Sequence, residues 1–510
     1  MSTVWLFALY GSSIHAQTSK LLNDKFWEAK PSLASVKTEM EKGFDFKNIL
    51  GMEDPIVLAI RYGAPTATIN YLLDQPGVDF ARLIHEGRIY LHLVANKGNA
   101  EVVDHLLAKG SDMYFIDANG HTAFTYAGFQ GHLTTDVIDV FIKHGIDLNK
   151  KYETKFGADI LLISIPYDKD LKITDYFVSK GLSLNSTDDD GNTAFNHVAK
   201  IGYVPAMKEL LKRGVKYNEN ALIIASQGTY RTANSIEVYK YLVDELKIDP
   251  KTKNKDNQNV LHAIAGKRNQ AEIVSYFLDK GVDVNEVDKK GNTPFLNAAS
   301  ARSSDLLKLM YPHFKAKKIN AQNNDGATAL MLAASKNDAN AVAFLIEKGA
   351  DPKLKNKEGN DVGYYLVEAY RPAGGRRGRP APGGQVQSEI KSDPFSEKLE
   401  ILKKSGYDVN TQQTKGASLL HVAAGKNDFK LIKTLVSSGM DVNQADKNGT
   451  TPLHIASMKA TNDKILKYLV AQGANLSAKT SFGETVYDLA SENEVLGKKD
   501  INVEFLKPSK

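Results

Sequence analysis

The chain has 510 residues, 42% of them hydrophobic and 25% charged, a balance that excludes global disorder and collagen-like repetition. It contains no cysteine, which excludes a disulfide framework, a zinc-thiolate cluster, an iron-sulfur site and a cysteine nucleophile. The formal net charge is +5, so a basic excess has to be located before a nucleic-acid or anionic partner is considered.

The first sixteen residues carry no Lys, Arg, Asp or Glu and contain an apolar run from Val4 to Tyr10. A polar stretch follows, and Ala16 offers a small residue for cleavage before Gln17. This pattern predicts a secretory signal peptide over residues 1–16, and therefore an exported protein. The alternative is an apolar N-terminal helix that packs on the first structural unit and leaves the protein in the cytoplasm. No later segment reaches about 18 consecutive apolar residues, so no membrane span is predicted.

A short phrase recurs along the chain. The stretches 288–298 and 446–456 align on the template D-x-x-G-x-T-P-L-H-x-A, and the same phrase surrounds the glycines at 120, 191, 326 and 416. Three steps between template glycines are 33 residues long: Gly87 to Gly120, Gly326 to Gly359, and Gly416 to Gly449. Phrase and period resemble the ankyrin repeat family, whose repeat is about 33 residues long.

A second glycine supports this register independently, because it precedes the template glycine by ten residues in six repeats. The six pairs are 110/120, 181/191, 281/291, 349/359, 439/449 and 473/483. The first member follows an apolar pattern of helical period and is predicted to end that helix in the left-handed conformation. The second opens a tight turn that needs a positive φ, and Asn257 replaces it once.

Each repeat is therefore predicted to contain a turn, a short helix, a loop and a longer helix. Thr293 and Thr451 suit the N-cap of the first helix, and the proline that follows suits its first turn. The predicted fold is all-α, an ankyrin-repeat solenoid of about fourteen helix-turn-helix repeats with short connecting β-turn fingers. It spans residues 20–490, and residues 491–510 form a C-terminal cap or tail.

Two departures from the period stand out. Gly214 and Asn218 are only four residues apart, so one finger has lost six residues. From Gly359 to Gly416 the step is 57 residues, and the excess falls in an Arg/Gly/Pro-rich stretch. That composition predicts a flexible insertion over residues 371–393, between the two helices of one repeat.

Catalytic and metal-binding patterns are missing from the sequence. His92, His262, His421 and His454 occupy the template histidine position, and the resemblance implies that this histidine bonds backbone between neighbouring turns. A shared metal site is the weaker reading, because these residues lie in successive layers. The acids Asp117, Asp189, Asp288 and Asp446 are read as turn residues that accept backbone amides. No phosphate-binding loop, nucleophile elbow or zinc-protease helix is present. We therefore predict no enzyme activity, no cofactor and no metal.

Binding is the natural use of such a stack, since its template positions build the core while the others face solvent. The predicted partner is one or more proteins, bound on the concave surface, with no small-molecule substrate. For each candidate taken alone, an ordinary solvated side chain is the favoured reading, and only the surface as a whole carries the prediction. The candidate contact residues are Asn119, His121, Lys289, Lys290, Asn292, Arg302, Lys336, Lys426, Lys447 and Asn448.

The Arg/Gly/Pro-rich stretch holds most of the basic excess, since it supplies four arginines with no acid before Glu389. It suits either a solvated linker or a contact arm for an anionic partner. The anionic-partner candidates are Arg371, Arg376, Arg377 and Arg379. Aromatic residues for base stacking are lacking, so nucleic acid is the less favoured partner.

Two hypotheses follow for the function. The leading one is a non-enzymatic scaffold that binds a partner protein in a bacterial periplasm or outside the cell. Some exported bacterial proteins of this family act beside catalases or other stress enzymes. The resemblance therefore implies that assisting a stress enzyme is one function open to this protein. The alternative is a cytosolic protein that binds nucleic acid or another anionic partner through the arginine stretch. An enzyme with an ankyrin arm is disfavoured, because the repeats leave no stretch of about 100 unexplained residues.

Overall fold

The computed structural model describes residues 19–49, 51–152, 157–229, 233–372 and 393–508. Within these residues the regular structure is helical, and no strand is present. The 28 α-helices form fourteen successive pairs, as the sequence predicts. The chain divides into two compact units, one up to Ile248 and one from Asp249 onward, each with seven helix pairs. We call each pair a repeat and number the repeats in chain order. The predicted signal peptide lies outside the described residues.

The first unit holds repeats 1 to 7. Its helices are α1 (Asp24–Glu28), α2 (Leu33–Met40), α3 (Pro55–Tyr62), α4 (Thr66–Leu73), α5 (Tyr90–Asn96), α6 (Ala100–Ala108), α7 (Ala123–Gln130), α8 (Thr135–Lys143), α9 (Ile160–Ser164), α10 (Lys172–Ser179), α11 (Ala194–Ala199), α12 (Val204–Lys212), α13 (Asn220–Gln227) and α14 (Ile236–Lys240). A π-helical turn, Tyr241–Glu245, continues the last of these.

The second unit holds repeats 8 to 14. Its helices are α15 (Val260–Ile264), α16 (Ala271–Asp279), α17 (Pro294–Ala299), α18 (Asp305–Met310), α19 (Ala329–Lys336), α20 (Ala339–Glu347), α21 (Val362–Glu368), α22 (Pro394–Lys404), α23 (Leu419–Lys426), α24 (Phe429–Ser437), α25 (Pro452–Lys459), α26 (Lys464–Ala471), α27 (Val486–Ser491) and α28 (Glu494–Gly497). The segment from 491 on also contains the 3₁₀ turn Glu504–Leu506, in which Leu506 is buried.

Equivalent helices of successive repeats pack on each other within each unit. The first helix of one repeat packs on the first helix of the next, as α5 does on α7 and α23 on α25. Phe124, Phe177, Phe277 and Phe295 lie fully buried between these layers. Burial of such a side chain stabilises the fold by roughly 2–3 kcal/mol, so the layers depend on apolar packing rather than on intrinsic helix propensity.

Thr293 and Thr451 both lie at the N-cap position, as predicted, but the Thr451 hydroxyl bonds His454 Nδ1 at 2.8 Å and caps no helix amide. The Thr293 hydroxyl accepts a hydrogen bond from the amide of Leu296 at 3.1 Å, and Pro294 follows in the first turn of α17. Gly349 and Gly359 both have φ of +89°, one ending α20 and the other closing the next finger. Asn257 adopts φ of +62° at the equivalent place. In the shortened repeat, α12 ends at Lys212 and α13 already begins at Asn220, so no finger separates them.

A polar side chain from one repeat caps the first helix of the repeat before it; we call this contact the clasp. Asn337 Nδ2 donates to the carbonyls of Ala298 and Ala299 at 3.2 and 3.1 Å. Asn234 and Asn493 make the same contact in their repeats. In repeat 11 a lysine takes the place of the asparagine, since Lys398 Nζ, within α22, donates to the Ala334 carbonyl at 2.9 Å. Burial lowers the pKa of Lys398.

Repeat 11 departs from the template at three coupled positions. Asp361 replaces the capping threonine, and its carboxylate accepts hydrogen bonds from the amide of Gly363 at 2.9 Å and the hydroxyl of Tyr407 at 2.8 Å. Gly363 replaces the template leucine, because the Tyr407 hydroxyl occupies the space that a Cβ would need. Burial raises the pKa of both Asp361 and Tyr407.

We expect Gly363→Ala to destabilise the second unit although alanine favours a helix by about 1 kcal/mol over glycine. The reason is the overlap of the new methyl group with the Tyr407 hydroxyl. The double variant with Tyr407→Ala removes that overlap and leaves only the contact of the methyl group with Leu419 Cδ1 at 2.8 Å. The two substitutions should therefore show a coupling of about 1–3 kcal/mol. Urea unfolding of the wild type, both single variants and the double variant measures it. Additive effects would contradict this account.

Candidate partner-binding surface

The fingers between repeats are built on a carboxylate or amide at the start of each turn. Asp288 Oδ1 accepts hydrogen bonds from the amides of Lys290 and Asn292 at 2.9 and 2.8 Å. Asp446 accepts from Asn448 and Thr450 in the same way. Because these bonds fix the turn backbone, the two residues between the acceptor and the turn glycine point outward. We call these two residues the finger tip.

The predicted turn acids take this position, with one correction. In repeat 6 the acceptor is Asp188, whose Oδ1 receives the amides of Asp190 and Asn192 at 2.9 Å each. Asp189, which the sequence pattern assigned to that position, is a finger-tip residue with an exposed side chain. Three consecutive aspartates before Gly191 caused the error, and the template spacing of three residues identifies the first as the acceptor.

Successive fingers in the second unit are joined by a ladder of backbone hydrogen bonds. The amide of the first tip residue in one finger donates to the carbonyl of the second tip residue in the finger before. The bonds run from Lys289 to Asp256, Asn324 to Lys290, Lys357 to Asp325 and Lys447 to Lys415, each at 3.0 Å. Between the fingers that end at Gly359 and Gly416 the pattern differs, because the Thr414 amide donates to Asn360 Oδ1 at 3.0 Å.

Three of the four template histidines, His92, His262 and His421, join one finger to the next, which agrees with the structural role that the resemblance implies, whereas Nε2 of the fourth, His454, is buried without a hydrogen-bond partner among the described residues. The Nδ1 atom of His421 accepts the Ser418 amide at 3.0 Å, and its Nε2 donates to the Thr450 carbonyl at 2.8 Å. His92 and His262 also bond a carbonyl of the following finger. One proton on Nε2 satisfies both partners, so the rings are neutral. Burial lowers the pKa of these three histidines.

The predicted contact residues on the fingers fall into two groups. Asn119, Lys289, Lys290, Lys447 and Asn448 are exposed finger-tip residues. His121 and Asn292 instead follow the turn glycine and are half-buried. His121 stacks on Phe129 with ring centroids 4.9 Å apart, and Asn292 Oδ1 accepts the side-chain amide of Asn323 at 3.0 Å. The second group therefore supports the finger as well as facing the surface.

The predicted positions on the first helices also differ among themselves. Both Arg302, in the loop after α17, and Lys336, the last residue of α19, are exposed. Lys426 is held in place, because its Nζ lies 3.2 Å from the Glu368 carboxylate and 2.8 Å from the Glu368 carbonyl. Its ammonium group therefore already has partners within the chain.

One of the four predicted anionic-partner arginines lies within the described residues. The Arg371 guanidinium is exposed and donates to the carbonyls of Glu368 and Tyr370 at 3.1 and 2.9 Å. Arg376, Arg377 and Arg379, with most of the predicted insertion over 371–393, lie outside the described residues.

A shallow cleft of about 570 Å³ beside α21 was not foreseen from the sequence. Tyr364 and Tyr365 line it together with Lys357, Glu368 and Arg371. Tyr364 stands where the template has histidine, and that substitution is the one sequence signal that could have drawn attention to it. The cleft joins finger tip Lys357 to the first-helix face, so the two predicted contact regions are continuous here.

Across the described ranges, no group of three or more histidine and acidic side chains is arranged to hold a metal ion. In the same residues, no helix has the length and apolar character needed to cross a bilayer.

Several known proteins share sequence similarity with this chain. The chain is 26% identical to alpha-latrocrustotoxin-Lt1a of Latrodectus tredecimguttatus over 329 residues, which is 60% of this chain and 22% of the toxin. It is 24% identical to the phosphocholine transferase AnkX of Legionella pneumophila over 306 residues, 50% of this chain and 32% of the transferase. It is 26% identical to the B-cell lymphoma 3 protein homolog of Mus musculus over 202 residues, 38% of this chain and 44% of that protein.

The chain thus spans less than half the length of each of these relatives. The family model described as ankyrin repeats (3 copies) matches residues 56–152, 161–254, 230–323, 261–356 and 391–480. These matches cover most of the chain and coincide with the helix pairs and fingers described above. The chain belongs to the ankyrin repeat family.

Proposed function

We propose that this protein is a non-enzymatic scaffold that binds a partner protein through its finger tips and the adjoining first-helix face. Ankyrin repeat proteins generally mediate protein–protein interaction. The observation that carries the proposal is the difference in side-chain exposure between the residues that fix each finger and the residues at its tip. Asp288 and Thr293 are each 6% exposed and fix the backbone of the finger. Lys289 and Lys290, which lie between them, are exposed and do not belong to the core.

Such a surface suits binding because its backbone is ordered before a partner arrives. The ladder and the turn hydrogen bonds hold the tips in place, so association does not have to order the loops that make contact. The tip side chains can vary without cost to the fold, which allows specificity for one partner. A stress enzyme, which the resemblance suggests, is one candidate partner of this kind.

We further propose that the protein is exported after removal of residues 1–16. The sequence of this segment carries the proposal, and the fold is compatible with it. The first hydrogen bonds of the described chain begin at Ser19, and Leu21 is fully buried with its carbonyl accepting the Trp27 indole N–H at 2.8 Å. Cleavage before Gln17 leaves these contacts intact. Mass spectrometry of the native N-terminus tests this: a chain that retains residues 1–16 would contradict it.

The binding surface is tested by site-specific photocrosslinking in the native host. We expect p-benzoylphenylalanine at the finger-tip residue Asn448 to capture one protein species, and excess unlabelled chain to compete for it. The matched control places the same group at Lys433, an exposed residue on the second helix α24 of the neighbouring repeat. Equal capture at both positions, or no competable capture at Asn448, would overturn the proposal.

A further inference from the structure

Lys398 in α22 is a buried amine in a contact that other repeats make with a neutral amide. Its side chain is 7% exposed. Asn337 makes the clasp through Nδ2, whose two N–H groups reach two backbone carbonyls. Burial of an unpaired charge is costly, whereas burial of a hydrogen-bonded amide is not. The clasp itself therefore requires two N–H donors and no charge.

The hydrogen bonds of Lys398 suit a neutral amine. Its Nζ lies 2.9 Å from the Ala334 carbonyl and 3.5 Å from the Ala333 carbonyl, and the described residues provide no third acceptor. An ammonium group has three N–H donors, so one of them is left unsatisfied. A neutral amine has two donors and one lone pair, which asparagine Nδ2 lacks. The lowered pKa of Lys398, which its burial causes, agrees with this geometry.

The carboxylates near Lys398 are engaged by other groups. Asp338 caps α20, where its Oδ1 accepts the Ala341 amide at 2.8 Å. Asp393 Oδ2 lies 3.3 Å from Lys430 Nζ. In the part of the chain that the structure describes, no carboxylate lies within ion-pair distance of Lys398 Nζ. The amine therefore lacks the partner that would hold its proton.

A cavity of about 190 Å³ lies against Lys398. Leu366, Tyr370 and Phe395 line its apolar part, and the two aromatic rings pack edge to face with centroids 5.3 Å apart. The Arg371 side chain lines the same cavity. A lysine becomes a nucleophile at neutral pH when apolar groups desolvate it or a second cation lies near it. Both features are present at Lys398.

The cavity adjoins the open cleft beside α21, because Ser335, Ala369 and Arg371 line both of them. A small molecule can therefore approach Lys398 from the surface, past the rings of Tyr364 and Tyr365. Arg371 bonds two backbone carbonyls through Nη1, and within the described ranges its Nε and Nη2 make no bond. These N–H groups are left to bind an anion.

We propose that Lys398 is a covalent binding site for a small aldehyde that carries an anionic group on a planar, largely apolar body. The Nζ lone pair attacks the carbonyl carbon. The two amine protons leave with the carbonyl oxygen as water, and a C=N bond replaces the C=O bond. A proton from solvent then restores one N–H, which the Ala334 carbonyl accepts. Arg371 binds the anionic group. This inference goes beyond the scaffold function and does not depend on it.

Reductive trapping tests the site in the full chain. The protein is incubated at neutral pH with para-formylbenzoate, and cyanoborohydride then reduces the C=N bond to a stable secondary amine. Peptide mass spectrometry gives the fraction of adduct at each lysine. We expect about tenfold more adduct at Lys398 than at Lys404, an exposed lysine on the same helix, because an ammonium group in water keeps its proton at neutral pH.

Two variants separate the amine from the anion site. Lys398→Arg keeps N–H donors for the Ala334 carbonyl but forms no imine, so the preferred adduct should disappear. Arg371→Gln should lower the adduct with para-formylbenzoate about fivefold and leave the adduct with uncharged benzaldehyde unchanged. The matched control is Arg302→Gln, which removes an exposed arginine outside the cleft and should change neither adduct.

Equal adduct at Lys398 and Lys404, or no adduct at Lys398, would overturn the inference. An Arg371→Gln variant that reacts with para-formylbenzoate as the wild type does would refute the anionic ligand. Circular dichroism shows whether each variant is folded, and the distribution of adduct in the wild type decides the question even where a variant is not. Partner capture from Asn448 is a separate measurement, so loss of this site would leave the scaffold proposal standing.

Discussion

Gly326→Ala should destabilise the second unit by about 3 kcal/mol, because two costs act at one residue. Gly326 has φ of +79°, which an alanine adopts only with strain. A Cβ there would also lie 2.6 Å from the backbone nitrogen of Lys357. That nitrogen is the ladder donor to Asp325, so relief of the clash requires the two fingers to separate. Urea unfolding followed by circular dichroism measures the change.

Gly349→Ala provides the matched control for this prediction. Gly349 has a φ of +89°, but no atom lies within 4 Å of the position its Cβ would take. Only the conformational cost remains, about 1 kcal/mol. Equal losses for the two variants would show that close approach of the fingers contributes nothing to stability.

The free energy of unfolding should fall as the pH is lowered below about 6.5. Burial lowers the pKa of His92, His262, His421 and His454 in the folded protein, although nearby acids oppose it. The unfolded chain therefore binds protons at a higher pH than the folded one. The stabilisation is complete above pH 6.5 and is lost as the pH falls toward the folded pKa values. Each histidine contributes a slope of up to about 1.4 kcal/mol per pH unit.

The geometry gives the physical reason for this slope. In three of these repeats, Nδ1 accepts the backbone amide that begins the helix, at 3.1 Å for His262, 3.0 Å for His421 and 3.1 Å for His454. A proton on Nδ1 would place two N–H groups against each other inside the finger.

Proton NMR titration of the folded chain checks the direction, and urea unfolding between pH 7 and 5 checks the slope. Burial raises the pKa of Asp54 and Asp361, so these carboxyl groups bind a proton at a higher pH in the folded chain than in the unfolded chain and act in the opposite sense to the histidines. Template histidines that titrate at or above pH 6.5 would contradict the account.

Most of the fold could be predicted from the sequence, because the same motif recurs along the chain and each copy predicts the same pair of helices. The glycine pairs, the capping threonines and the helical periods agree with one another, and the structure confirms the fourteen repeats. What the sequence could not reveal are contacts between residues far apart in the chain. Nothing near Gly363 indicates that Tyr407 fills its place, and nothing near Lys398 indicates that it replaces an asparagine of the clasp.

The candidate surface was partly predictable for the same reason. The template identifies which residues face outward, so Lys289, Lys290 and Lys447 were identified from their position alone. It does not reveal which outward residues are already engaged by other side chains. Lys426 is held by Glu368 of the neighbouring repeat, and His121 stacks on Phe129 in the helix α7 that follows it; the template indicates neither contact.

In repeat 11 the residue that makes the clasp lies inside the second helix, and this position makes the repeat suitable for the insertion of a foreign domain. Elsewhere the asparagine that makes this contact, such as Asn337, stands in the loop before the second helix, so foreign residues inserted there would displace it. In repeat 11 the contact is made by Lys398 from inside α22, and not from the residues that precede this helix. A reporter domain fused between Pro372 and Asp393 should therefore leave the stacking of the neighbouring repeats undisturbed.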